Sequence, residues 1–232
     1  MSRKGRDAAC TYCGVELTKY NRSSDHVLPK CLFSVSQRDG LVKVPACQRC
    51  NNHEKSVDDV YFRDWLVADS ETDVSRVPRD VYRAFLRSAG DNPEGKVRSR
   101  VARAAMTAGR WEPRETASGL FAGYGFSYPF EWERVDRTGR RTAQGLYTDI
   151  YKQRLPQHAT YEAGRVRRDK AEETWRVVAG MGARSRVMGG GECKALCVSV
   201  QEAAGVAIHA VLVFYDSIMV QVSAHAASLE QV

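Results

Sequence analysis

Cys10-Thr11-Tyr12-Cys13-Gly14, Ser24-Asp25-His26-Val27-Leu28-Pro29-Lys30 and Cys47-Gln48-Arg49-Cys50-Asn51-Asn52-His53-Glu54-Lys55 are three pieces of one short segment. A Cys-x2-Cys pair in a tight turn brings two thiolates to one side of an ion. A second such pair completes a tetrahedron around Zn²⁺ and leaves no open position. A closed site of this kind is structural, because holding the ion folds the stretch that carries it. Cys10, Cys13, Cys47 and Cys50 are the expected ligands, and Gly14 suits the exit from the first turn. Cys31 has no partner at metal spacing and reads as a small buried residue. Cys193 and Cys197 lie in a strand-like stretch, too far apart along it to chelate one ion together.

A closed zinc site leaves Asp25, His26 and Asn51 unexplained. Phosphodiester hydrolysis needs a hard metal ion on the scissile phosphate and a base that activates water. Asp and Asn oxygens suit Mg²⁺ or Mn²⁺. A neutral histidine, with an unperturbed pKa near ~6.5, suits the base.

In this order of knuckle, Asp-His step, second knuckle and Asn, the segment resembles the HNH endonucleases, in the zinc-knuckle branch of the His-Me finger enzymes. The resemblance covers about a quarter of the chain. It implies a ββα-metal module, DNA as substrate (branched and RNA-containing forms included), and a setting in a phage or mobile element. It further implies His26 as general base, Asp25 and Asn51 as ligands of the catalytic Mg²⁺ or Mn²⁺, His53 as a secondary candidate ligand, and Lys55 as a candidate phosphate contact. One feature departs from the family: its middle Asn is missing between Leu41 and Ala46, and Asp39 is the nearest substitute. The competing reading is a non-catalytic zinc module that recognises nucleic acid or protein, in which Asp25 and His26 are structural.

Charge is unevenly spread over the 232 residues. Residues 1–56 carry ten Lys/Arg against five Asp/Glu, 57–75 one against six, 76–114 ten against four, and the remainder is close to balanced. Two basic segments fit a polyanionic partner. Ser56-Val57-Asp58-Asp59 reads as a helix start, with Tyr61 and Trp65 on an apolar stripe and the acidic residues facing solvent. Pro78-Arg79 starts a second helix whose Arg79, Arg83 and Arg87 share a face. A third, near Glu94 to Gly109, presents Lys96, Arg100 and Arg103. These six cations are candidate contacts to a nucleic-acid backbone.

Beyond residue 114 the pattern is mixed. Gly119 to Trp132 alternates aromatics as a strand would, its rings expected on the hydrophobic face of a sheet. Asp136 to Gly139 reads as a turn, Thr142 to Gln153 and Ala159 to Met181 as helices, and Ala183 to Gly191 as a loop. Cys193 to Val200, Gly205 to Tyr215 and Ile218 to Ser223 read as antiparallel strands, with His209 a core or cross-strand residue. The expected class is therefore α+β: residues 1–56 a zinc-bearing ββα module, 57–114 a basic helical segment, and 115–232 an α+β region of unassigned role. No run of ~18 apolar residues exists, so no membrane span is expected. The basic N-terminus meets Cys10 with no apolar stretch behind it, which points to the cytoplasm, where thiols stay reduced.

Overall fold

The computed structural model describes residues 9–69, 73–90, 98–115, 118–156, 158–202 and 205–227. Arg22–His26 (β1) and Lys43–Cys47 (β2) pair antiparallel, with Asp25 opposite Val44 and His26 opposite Lys43. The two-residue alternation of a strand buries Asp25 and leaves His26 half-buried. His53–Ala68 (α1) follows and completes a ββα unit. It begins three residues before the expected Ser56. Asn52 is the cap, its side chain accepting from the Lys55 amide at 3.0 Å, because the second cysteine turn runs straight into the helix. A second correction concerns the acidic residues of this helix. Asp58 and Asp64 are buried at 2% and 1% exposure, because α1 is enclosed on most sides and they meet arginines there.

Arg79–Ala89 (α2) and Arg100–Ala108 (α3) are the two basic helices. The start of α3 is set by Ser99, whose hydroxyl accepts from the Ala102 amide at 3.2 Å. Lys96 falls outside the described residues. Arg110–Glu115 (β3) and Phe121–Ser127 (β4) form a two-stranded ribbon. The expected inner face is met in part: Trp111, Phe121 and Tyr124 are 64–69% exposed, whereas Tyr128 and Phe130, just past β4, pack against the core.

Trp132–Tyr151 (α4) is one 20-residue helix running through the expected turn at Asp136 to Gly139. Gly139 serves packing instead of a turn. A Cβ there would lie 3.2 Å from Ala163 and 3.3 Å from Val222, so the missing side chain is what lets the helix lie on the sheet. Thr160–Val166 (β5) is a strand where a helix was expected, and the helix itself, Arg168–Gly180 (α5), starts only after it. Arg184–Met188 (β6) replaces an expected loop; its exposed arginines suit the edge position it takes. Cys193–Glu202 (β7), Gly205–Phe214 (β8) and Ile218–Ala227 (β9) are the expected strands, and the sheet order is β5-β9-β8-β7-β6, antiparallel throughout. The chain is thus α+β.

A single apolar core joins the ββα unit to this sheet. It runs from Val27, Leu28, Leu32 and Phe33 through Tyr61, Trp65 and Leu66 to Leu146, Ile208, Leu212 and Val222. Cys193 and Cys197 lie within it, as expected. The opposite face of the sheet is covered by α5, with Val178 and Trp175 over Leu196, Val198 and Val211. No helix among the described residues is long and apolar enough to cross a membrane.

Candidate active site and metal centre

The two cysteine turns close on each other. The Gly14 amide donates to the Cys10 carbonyl at 2.9 Å, and the Cys50 and Asn51 amides both donate to the Cys47 carbonyl. All four sulfurs lie within 4.8 Å of one another, and Cys13 Sγ is 3.6 Å from Cys47 Sγ. A tetrahedron with Zn–S near ~2.3 Å has edges of roughly 3.8 Å. The four cysteines can therefore hold a metal ion, and their all-thiolate chemistry suits zinc. Among the described residues no other cluster of His, Cys, Asp or Glu converges in this way.

Asp25, His26 and Asn51 come together on one cavity of about 360 Å³, with Lys30, Arg38, Lys55 and Asp59 also on its walls. Strand β1 presents the first two, and the end of the second cysteine turn presents the third. The Asn51 side-chain nitrogen donates to Ser23 Oγ at 2.9 Å and to the Ser24 carbonyl at 3.2 Å, which fixes the amide against β1. Its carbonyl oxygen is then the atom left to face a cation. Burial pushes the His26 pKa down, and Lys30 and Lys43 push it the same way, so the ring is neutral near pH 7.

Asp25 is the most heavily engaged group, at 3% exposure. Tyr12 Oη donates to Oδ2 at 2.8 Å, and Lys55 Nζ lies 3.0 Å from Oδ1. The same ammonium donates to Asp59 Oδ2 at 2.6 Å, one helical turn further along α1. Burial alone would lower the Lys55 pKa; Asp59 and Asp25 outweigh it and hold the side chain as a cation. Lys55 is thus a buried bridge between two carboxylates, where a surface phosphate contact was expected. His53 is exposed and opens on the neighbouring cavity of about 380 Å³, which it shares with Val57, Arg98 and Arg100. Arg79, Arg83, Arg87 and Arg103 are exposed, on helices beside α1 rather than on the wall of the Asp25 cavity.

The loop from Val27 to Val42 is held without a middle Asn. Asp39 is exposed. Ser34 and Gln37 close a capping box, Arg38 Nε donates to the Phe33 carbonyl at 3.2 Å, and Tyr215 Oη donates to the Leu32 carbonyl at 2.8 Å. Helix α4 backs the other side, with Thr142 Oγ1 donating to the Val27 carbonyl at 3.2 Å. Sequence reasoning missed Tyr12, Asp59 and Arg38. The four-residue step from Lys55 to Asp59 is a helical ion-pair spacing and was the one available signal.

No protein-family model matches the chain, and neither a curated protein nor a solved structure matches it.

Proposed function

We propose that this chain is a metal-dependent endonuclease of the HNH type, acting on DNA. The observation that carries the reading is the convergence of Asp25, His26 and Asn51 on one cation-lined cavity of a ββα unit clamped by four cysteines. Lys30 and Arg38 on the cavity wall supply positive charge for a phosphodiester. Neutral His26 takes the proton from a water as that water attacks phosphorus, and the bond to the 3′ oxygen breaks; that oxygen takes a proton from solvent, leaving 5′-phosphate and 3′-hydroxyl ends. A divalent ion such as Mg²⁺ or Mn²⁺, when bound, neutralises charge developing on the phosphate and the leaving oxygen. The donor set fits such an ion: a carboxylate and an amide carbonyl are hard oxygens. Tyr12 and Lys55 each hold one Asp25 oxygen, so an ion bound there shares those oxygens with them. The exposed arginines of α2 and α3 would extend the grip along the backbone.

One observation favours the second reading, a zinc module that binds nucleic acid or protein without cutting. Both Asp25 oxygens are already satisfied by the protein. Nicking of supercoiled plasmid in Mg²⁺ or Mn²⁺, with and without chelator, decides between them. The nuclease predicts divalent-dependent nicking by wild type that falls at least ~10²-fold in His26→Ala. Binding without cleavage by both proteins, on duplex, branched and single-stranded substrates alike, would give the place to the zinc module.

A further inference from the structure

Lys55 is buried and Asp59 half-buried, and the hydrolytic scheme uses neither. Their geometry is specific: one ammonium sits between two carboxylates, 3.0 Å from Asp25 and 2.6 Å from Asp59. Asp25 is the proposed ion ligand, so a divalent ion and Lys55 compete for the same oxygens. An ammonium expelled from a buried carboxylate into an apolar wall would be costly. Here it need not be expelled, since Asp59 already holds it through its shorter contact. The remaining neighbours do not take that place. Tyr12 is a neutral donor to Asp25, and burial with the adjacent Asp25 charge keeps its phenol protonated. Arg141, from α4, borders the same space with like charge and faces Asp58 at 3.7 Å.

We infer that Lys55 is a resident counter-cation that yields Asp25 to the incoming divalent ion, and that Asp59 is the positioning residue which retains it. The inference rests on the proposed function, because it assigns Asp25 to the ion. Lys55 and Asp59 set how tightly the ion is held, and they do so with opposite signs. Without Lys55 the ion meets Asp25 with no resident cation to displace; without Asp59 the ammonium has Asp25 as its one carboxylate and competes harder.

The test is Mn²⁺ affinity of the zinc-loaded full chain, read by calorimetry or by the electron paramagnetic resonance of free Mn²⁺. The expected result is at least about tenfold tighter binding in Lys55→Gln and at least about tenfold weaker binding in Asp59→Asn, from one unit of charge at contact range. Simple loss of structure would weaken both, so the opposed signs cannot come from misfolding. In the Lys55→Gln background, Asp59→Asn should lose most of its effect. An undiminished effect there would mean that Asp59 ligates the ion itself, and the exchange would be overturned. It would equally be overturned if both single variants bound Mn²⁺ as wild type does while Asp25→Asn abolished binding; the nuclease reading would then survive. Absence of Asp25-dependent binding in every variant would overturn both.

Discussion

Asp25 gathers more of the site than its neighbours do. A carboxylate at 3% exposure is tolerable only because Tyr12 and Lys55 meet both of its oxygens. A hydrogen bond to a charged acceptor contributes more than a neutral one. Tyr12→Phe should therefore lower stability by about 1.5–2 kcal/mol, measured by denaturant unfolding of the zinc-loaded protein. A change within ~0.5 kcal/mol would show that the Tyr12 hydroxyl does not support the carboxylate. The residues that face this cavity were legible in unequal measure. Asp25, His26 and Asn51 stand out through the order of knuckle, Asp-His step, knuckle and Asn in which the segment resembles the HNH endonucleases. Tyr12 was hidden inside a knuckle, where the cysteines on either side account for the motif. Lys55 was expected at a phosphate because of its place in the motif; nothing in its local sequence says that α1 would be enclosed.

At the scale of elements, α1 and α4 are tied by one buried carboxylate. Asp58 accepts from Arg134 at 2.7 Å and from Arg137 at 2.8 Å, with Arg141 at 3.7 Å. Burial alone would raise its pKa, but the hydrogen bonds from Arg137 and Arg134 outweigh that and hold it below the usual carboxylate range. A carboxyl lowered on folding gives stability that is present above its unfolded pKa near ~4 and is lost as pH falls through the lower folded value. Asp58→Asn should cost about 2–3 kcal/mol at pH 7, less than a fully buried pair would because Arg137 is partly exposed. Its unfolding free energy should also fall less steeply than that of wild type below about pH 4. Parallel acid profiles of the two proteins would show that folding does not lower the Asp58 pKa.

The contact of α4 with the residue that follows β1 is equally close at Gly145, where a Cβ would lie 2.8 Å from Val27. Alanine would gain up to ~1 kcal/mol in helix propensity. Overpacking costs ~1–3 kcal/mol, and Val27 cannot yield freely because its carbonyl is held by Thr142. Overpacking should win. Gly145→Ala is expected to lose about 1 kcal/mol in thermal unfolding and to shift the resonances of His26, the next residue along. Gly139 reads as a turn in the sequence while Gly145 falls inside the expected helix, but the packing role of either glycine could not be read from local sequence. Its function here is set by a partner more than 20 residues or 100 residues away.

For the whole molecule, the segment 1–56 is distinct in its motif but not in its packing. The cysteine turns have a small cluster of their own, Cys10, Leu17, Ala46 and Cys47. The loop that follows His26 does not: Val27, Leu28, Leu32 and Phe33 belong to the core shared with α4 and the five-stranded sheet. Fully exposing four such side chains would cost roughly 6–12 kcal/mol at ~1.5–3 kcal/mol each, which is the size of a whole domain's stability. Structural zinc can contribute ~10–16 kcal/mol, but only where the ligands are. A fragment of residues 1–68 is therefore expected to bind zinc tightly and still lack an ordered loop after β1. The measurement is amide dispersion of the zinc-loaded fragment, with plasmid nicking beside it. Sharp, dispersed signals from Val27 to Val42 with full-chain nicking would show that the module is autonomous. Broad signals there, with the cysteine turns ordered and nicking lost, would show that the C-terminal sheet is what builds the cavity. Stripping zinc from the full chain should give the reverse pattern, with the sheet surviving and the β1–β2 hairpin losing its register, because the shared core anchors the sheet while the four sulfurs anchor the hairpin's far end.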